Sequence, residues 1–151
     1  MAQNDTHSAG YSAAVSTARD YYNSSDADTF YHSIWGGEDI HVGLYGGPDD
    51  TIAAASQRTV EAMADRVQIT SETRVLDLGA GYGGAARWLA RKYGCKVTCL
   101  NLAEIENERN RNKTREQRLT HLVSVLDGNF EHMPLPVRSQ LCCLRGPASS
   151  C

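Results

Sequence analysis

The stretch RVLDLGAGYGGAARWLARKYG, residues 74–94, constrains this chain more than any other. Its opening run, RVLDL at 74–78, is apolar, too short for a helix, and stops at glycine. It reads as a strand buried on both faces, as in a parallel sheet. Glycines at 79, 81, 83 and 84 then permit a sharp bend and a close backbone approach. Beyond them Ala86, Leu89, Ala90 and Tyr93 recur at helical spacing. The pattern predicts a helix over 84–93, ended by Gly94 in the left-handed conformation.

The alternation continues. KVTCL at 96–100 is a second strand, and HLVSVL at 121–126 a third, closed by the turn DGN. Between them EIENERNRNKTREQRL, 104–119, reads as a charged helix, with Asn101 as its cap and Glu104 at capping-box spacing. Five basic and four acidic residues balance along it, which predicts a solvated face rather than a nucleic-acid patch. Upstream, Ile52, Ala55, Val60, Met63 and Val67 mark one face of a helix over 51–66, capped by Asp50 or Thr51. GGEDIHVGLYGGPDD, 36–50, is a structured loop. Residues 12–22 form a short helix, a second runs through ADTFYHSIW behind a cap at Ser25 or Asp26, and 1–11 read as disordered. Strand, helix, strand, helix, strand is the unit of a doubly wound α/β sheet. The expected fold is α/β, Rossmann-like, its first half of about three parallel strands carrying an N-terminal helical extension. The expected divisions are 1–50 (extension or cap), 51–136 (partial Rossmann-like domain) and 137–151 (divergent tail).

Charge and composition narrow the partners. A formal net charge of −3 argues against general affinity for nucleic acid or an anionic membrane. No apolar run of about 18 residues occurs, so no membrane-spanning helix is expected. The polar start MAQNDTHSAG lacks the zones of a secretory signal, which makes the cytoplasm the default. Five cysteines, an odd number with no C-x-x-C pair, predict free thiols. The histidines show no H-E-x-x-H pattern, and no metal is expected.

Gly79, Gly81 and Gly84 match the G-x-G-x-x-G dinucleotide fingerprint, a weak signal alone. Three neighbours change its meaning. Asp77 puts a carboxylate at the mouth of the turn, where it can accept from a ligand ammonium and would repel a pyrophosphate. Asn101 ends the second strand and can bond ribose hydroxyls, and Asp127 ends the third and can accept from the amine of adenine. Taken singly, Asp77 can cap its own turn and Asp127 can form an Asx-turn. In order after three strands, they describe an ammonium, a ribose and an adenine without phosphate, which is S-adenosylmethionine.

VLDLGAGYGG, with DGNF and PLP behind the third strand, resembles the S-adenosylmethionine-dependent class I methyltransferases. YYNSSDADTFYHSIWGGEDIHVGLY (21–45) and CLNLAEIENERNR (99–111) are similar to the sarcosine/dimethylglycine methyltransferase group. That group is of type 11 and related to cyclopropane-fatty-acid-synthase-like enzymes. The resemblance covers roughly 12–136, and Asn101 suits the group where the wider class prefers an acid. It implies N-methylation of a small amine, sarcosine or dimethylglycine, towards glycine betaine. It further implies that Gly79, Ala80 and Gly81 line the cofactor, Asp77 orients its amino-acid end, Asn101 and Leu102 meet the ribose, and Asp127, Gly128 and Asn129 flank adenine. Tyr22, Trp35 and Gly36 would fold over it, against the plainer reading of the two aromatics as packing; His41 and Tyr45 read as ordinary. No catalytic residue is assigned. A glycine-type substrate wants an arginine for its carboxylate, and Arg58, Arg66, Arg74 and Arg87 are not distinguished by context.

After HMPLP, 132–136, the resemblance stops, and VRSQLCCLRGPASSC follows. The expectation is an incomplete form of the fold. RVLDL would keep one unpaired edge, an aggregation hazard; the alternative is that LCCL adds a makeshift edge strand, but its four residues cannot replace the four strands that follow in the family. Weak cofactor binding and little turnover follow, with possible association with a full-length relative through the open edge. The competing readings are a methyltransferase with another acceptor (phosphoethanolamine or a lipid), a nicotinamide-dependent oxidoreductase fragment, and a non-catalytic module.

Overall fold

The computed structural model describes residues 11–35 and 38–129, and the backbone of 141–145. Two helices begin the chain, α1 (Ala13–Tyr22) and α2 (Ser25–Ser33). A third, α3 (Ile52–Ala64), precedes the alternating unit β1 (Arg74–Leu78), α4 (Gly84–Tyr93), β2 (Lys96–Asn101), α5 (Glu104–Glu116) and β3 (Val123–Asp127). A last strand, β4, is Leu141–Arg145. Side-chain oxygens start the first three helices: Ser12 accepts from Val15 N, Ser24 from Ala27 N and Thr51 from Ala54 N. The cap of α2 thus falls one residue before the expected pair.

All strand pairs are parallel, in the order β3-β2-β1-β4. The bare edge expected of β1 is therefore corrected in favour of the alternative, in which LCCL adds an edge strand. Arg74 pairs with Leu141 and the register runs to Leu78 with Arg145, so tail residues supply the neighbour that β1 was expected to lack. A strand buried on both faces must pair its amides and carbonyls, and the nearest strand-forming run, LCCL, does so. The chain moves from β1 to β2 to β3 in one direction, and β4 lies on the other side of β1. That reversal is a topological switch point, and ligands of open α/β sheets bind outside the carboxyl ends of strands there.

The core lies where α3 and α4 meet the sheet: Ala64, Ile69, Val75, Ala86, Leu89, Ala90, Cys95, Val97, Cys99, Leu119 and Val123. Val67 lies beyond the end of α3 and is exposed. Two expectations about α5 also change. Asn101 does not cap it; Asn101 ends β2, and Ala103 precedes the helix with no side-chain cap bond. The helix is also not merely solvated, because Glu106, Asn107, Asn110 and Thr114 are buried on one face. At that spacing they form a polar stripe that meets polar partners, described next.

Candidate functional site

The glycine turn stands at the switch point, and its open sides differ. Gly79 has φ +72°, and a Cβ there would meet nothing within 4 Å. At Gly83, φ +75°, a Cβ would run into the Asn110 side chain. A Cβ on Gly81 would lie 3.1 Å from Ile40 Cδ1, and one on Gly84 2.5 Å from Asp39 Oδ1. Among the described residues, Gly79 is therefore the one of the four glycines whose Cβ side is open. The Gly79 amide donates to Leu100 O at 2.8 Å, which fixes the turn against the end of β2.

Residues Glu38 to Ile40 form a strap across the start of α4. Gly84 N donates to Glu38 O at 3.0 Å, and Ala85 N donates to the Asp39 carboxylate. Arg87, fully buried, fastens the strap: its guanidinium donates to Tyr82 O (2.7 Å), Asn110 Oδ1 (2.9 Å) and Glu38 Oε2 (2.5 Å). Lys113 Nζ holds the other Glu38 oxygen at 2.8 Å. The first two amides of α4, at an end that binds pyrophosphate in dinucleotide folds, are thus taken by the chain itself, one of them by an acid.

The strand ends hold the remaining polar groups. Asp77 is buried, no hydrogen bond to its carboxylate occurs among the described residues, and its pKa is pushed up to about 7 by desolvation and then by Asp39. Burial likewise raises Asp39, with His41 opposing. Asn101 Nδ2 donates to Glu106 Oε2 at 2.9 Å, and desolvation lifts Glu106 to about 7. Asn107 Nδ2 donates to Asn101 O (3.0 Å) and Asp127 Oδ1 (2.8 Å), and Arg111 donates to Asp127 Oδ2 (2.5 Å). Asp127 is therefore already tied to α5 and presents its remaining lone pairs. Gly128 N donates to Asn101 O at 3.1 Å, so the second and third strand ends meet. Asn129 is buried beside them, and Ala80 and Leu102 are half-buried.

The N-terminal helices reach this region through ionic clasps. Arg109 grips Asp28 through two nitrogens at 2.6 and 2.5 Å, and Tyr82 Oη donates to the same carboxylate at 3.1 Å. Arg19 and Asn23 hold Glu104. Tyr22 is half-buried and packs on Tyr31 with ring centroids 6.2 Å apart. Trp35 packs on Tyr31 and Phe30 and donates its indole N–H to His41 O at 3.2 Å. Burial, and to a lesser extent the charge of Glu106, raises the pKa of both Tyr22 and Tyr31. Gly36 lies outside the described residues.

Sequence reasoning missed Asp39, Glu106 and Asn107, and named Arg87 only among four undistinguished arginines for a substrate carboxylate. Arg87 had a signal, since it interrupts the small and apolar residues of GGAARWLA inside a helix packed on a sheet. Glu106, Asn107, Asn110 and Thr114 had another, a polar repeat at i, i+1, i+4 and i+8. Asp39 had none, because only the fold brings its loop onto α4.

A glycine turn closing a parallel sheet at its switch point, with acids rather than free amides around it, defines a Rossmann-like fold outside the dinucleotide type. The chain belongs to the mycolic acid cyclopropane synthetase family, whose pattern matches residues 12–139. It is 67% identical over 124 residues to a glycine/sarcosine/dimethylglycine N-methyltransferase of Actinopolyspora halophila, an alignment covering 82% of this chain and 22% of that protein. Against a sarcosine/dimethylglycine N-methyltransferase of Halorhodospira halochloris, identity is 58% over 122 residues, covering 80% and 44%. A solved Galdieria sulphuraria structure, described as a sarcosine dimethylglycine methyltransferase, superposes with a TM-score of 0.68 at 45% identity, covering 76% and 44%. The chain thus spans less than half the length of these relatives.

Proposed function

We propose that this chain binds S-adenosylmethionine and serves the N-methylation of a small amine of the sarcosine/dimethylglycine kind, towards glycine betaine. The observation that carries the reading is the buried Asp77 carboxylate two residues before Gly79, whose Cβ side is open among the described residues, with the Gly84 and Ala85 amides of α4 already bonded to the strap. Such a place suits an ammonium and repels a phosphate. High identity to N-methyltransferases selects this chemistry from the many that a Rossmann-like sheet can host. The matched segment spans less than half of each of these relatives, and we assign to the residues present the cofactor end of the reaction.

Asp77 would receive the amino-acid end, with Gly79, Ala80 and the Gly81 backbone along it. Asn101 and Leu102 would meet the ribose, and Glu106, held by Asn101, adds a carboxyl there. Asp127, Gly128 and Asn129 would flank adenine. Tyr22, Trp35 and Gly36 would cover the pocket, excluding water and offering aromatic faces to a methylated amine. The bound cofactor supplies a methyl group already activated by its sulfonium. The chain's task is to hold the neutral amine in line at about 3 Å, and no acid or base among the named residues is needed for that.

We further place the protein in the cytoplasm; no described helix is long and apolar enough to cross a membrane. Association with a longer relative would use the outer edge of β4, which carries no strand among the described residues. Calorimetry decides the cofactor: S-adenosylhomocysteine should bind and NAD should not. A radiolabelled methyl assay with dimethylglycine tests the acceptor. NAD binding without S-adenosylhomocysteine binding would overturn the reading.

A further inference from the structure

The strap carries an acid that nothing in the cofactor reading so far uses. Asp39 is nearly buried, its Oδ1 lies 2.5 Å from where a Cβ on Gly84 would stand, it accepts from Ala85 N at the first turn of α4, and its charge helps to raise the Asp77 pKa. The charged groups around it are spoken for or weak. Arg87 is committed to Glu38, Tyr82 O and Asn110, Glu38 is held by Lys113, and His41 Nε2 stands 3.8 Å from Asp39 Oδ1. Asp77, buried with no hydrogen bond to its carboxylate among the described residues, lies two residues before Gly79 at the end of β1, the strand that leads into the same turn. Two buried carboxylates near one another are costly unless a cation joins them.

Resting on the cofactor proposed above, we infer that Asp39 is a specificity-determining residue: with Asp77 it brackets the ligand's ammonium, and by holding the start of α4 it bars a diphosphate. The strap would thus convert a turn that matches the dinucleotide fingerprint into one that selects an amino-acid nucleoside. Arg87 and Lys113 act through Glu38 to hold the strap in place, and are positioning residues.

The test compares three ligands on the full chain by calorimetry: S-adenosylhomocysteine, 5′-methylthioadenosine (the same adenosine thioether without the amino acid), and ADP. One charge-assisted hydrogen bond should give the wild type a preference of at least about tenfold for S-adenosylhomocysteine over methylthioadenosine. Asp39→Asn and Asp39→Ser both keep an oxygen for the Ala85 amide while removing the charge, so either can answer if the other folds poorly. Both should lose that preference, change methylthioadenosine affinity by less than about threefold, and gain affinity for ADP. An unchanged ratio of S-adenosylhomocysteine to methylthioadenosine affinity in the variants overturns the inference and leaves the cofactor reading standing. A wild type that binds neither adenosine thioether overturns the cofactor reading, and this inference with it.

Discussion

Replacing glycines of the turn one at a time separates folding from binding. Gly79 and Gly83 have the same left-handed backbone, φ +72° and +75°. An alanine at either position carries a conformational cost of about 1–2 kcal/mol. The surroundings then part them. At Gly83 the new methyl meets Asn110, whose Oδ1 already accepts from Arg87 and Thr114 and cannot retreat without breaking both bonds. Overpacking of that kind adds about 1–3 kcal/mol, so Gly83→Ala should cost roughly 2–5 kcal/mol. At Gly79 the methyl enters open space, and stability should fall by only about 1–2 kcal/mol. Yet that space is where the ligand is placed, so affinity for S-adenosylhomocysteine should fall by about tenfold or more. Urea denaturation followed by tryptophan fluorescence reads the first quantity and calorimetry the second. If Gly79→Ala binds as the wild type does, the open side of Gly79 is not the ligand face. If Gly83→Ala is no less stable than Gly79→Ala, the packing account of the turn is wrong.

Asp77 and Glu106 both have pKa values raised by burial to about 7. Unfolded carboxyls ionise near about 4, so their contribution is complete below that pH and is lost as pH rises to 7. The urea midpoint should therefore drop between pH 4 and 7, and Asp77→Asn should flatten the drop while weakening S-adenosylhomocysteine binding. Arg87→Met removes the buried donor of three bonds and should destabilise the chain by about 3 kcal/mol by urea titration, whereas Lys113→Met, at a partly exposed pair, should cost less than about 1 kcal/mol. Few apolar side chains hold α1 and α2, with Ala27 the single buried residue of the two helices. Arg19→Ala with Arg109→Ala should therefore speed proteolysis within 11–35 several-fold, and added salt should do the same to the wild type. Equal cleavage rates in low and high salt would show that the clasps do not hold the cap.

The framework was legible because its signals are local. The apolar run 74–78, the glycines, and Gly94 with φ +68° fix β1 and α4 to the residue expected. The third and final strands were less so. The start of β3 fell two residues later than expected, and β4 was discounted for want of alternation, since pairing with a preformed edge imposes strand structure that pattern alone does not. At the site, Asp77 and Asn101 stood at strand ends and were readable by position. Glu106 was not, because a carboxyl on a charged helix looks solvated until the helix is placed against Asn101. Asp39 depends on a loop crossing the sheet end, a contact between residues 39 and 85 that no periodicity encodes.

The polar face of α5 explains why these unread residues belong together. An apolar stripe there would bury as well, but would leave α5 free to slide against the sheet. Instead each buried side chain has a directed partner: Glu106 takes Asn101, Asn107 takes Asn101 O and Asp127, and Asn110 takes Arg87 and Thr114. Those partners are the ends of β2 and β3 and the start of α4, the elements that frame the glycine turn. Directed polar bonds define one geometry more sharply than they add stability, even though Arg87 Nε, Asn107 Oδ1 and Asn110 Nδ2 are buried with no partner among the described residues. The ligand end of the sheet is therefore set by hydrogen bonds with fixed directions, and Arg87 extends the same network to the strap through Glu38. A change at Asn110, which touches neither the proposed adenine nor ribose positions, should accordingly move Gly83, Arg87 and the strap together. It should weaken S-adenosylhomocysteine binding through Asp39 rather than through any contact of its own.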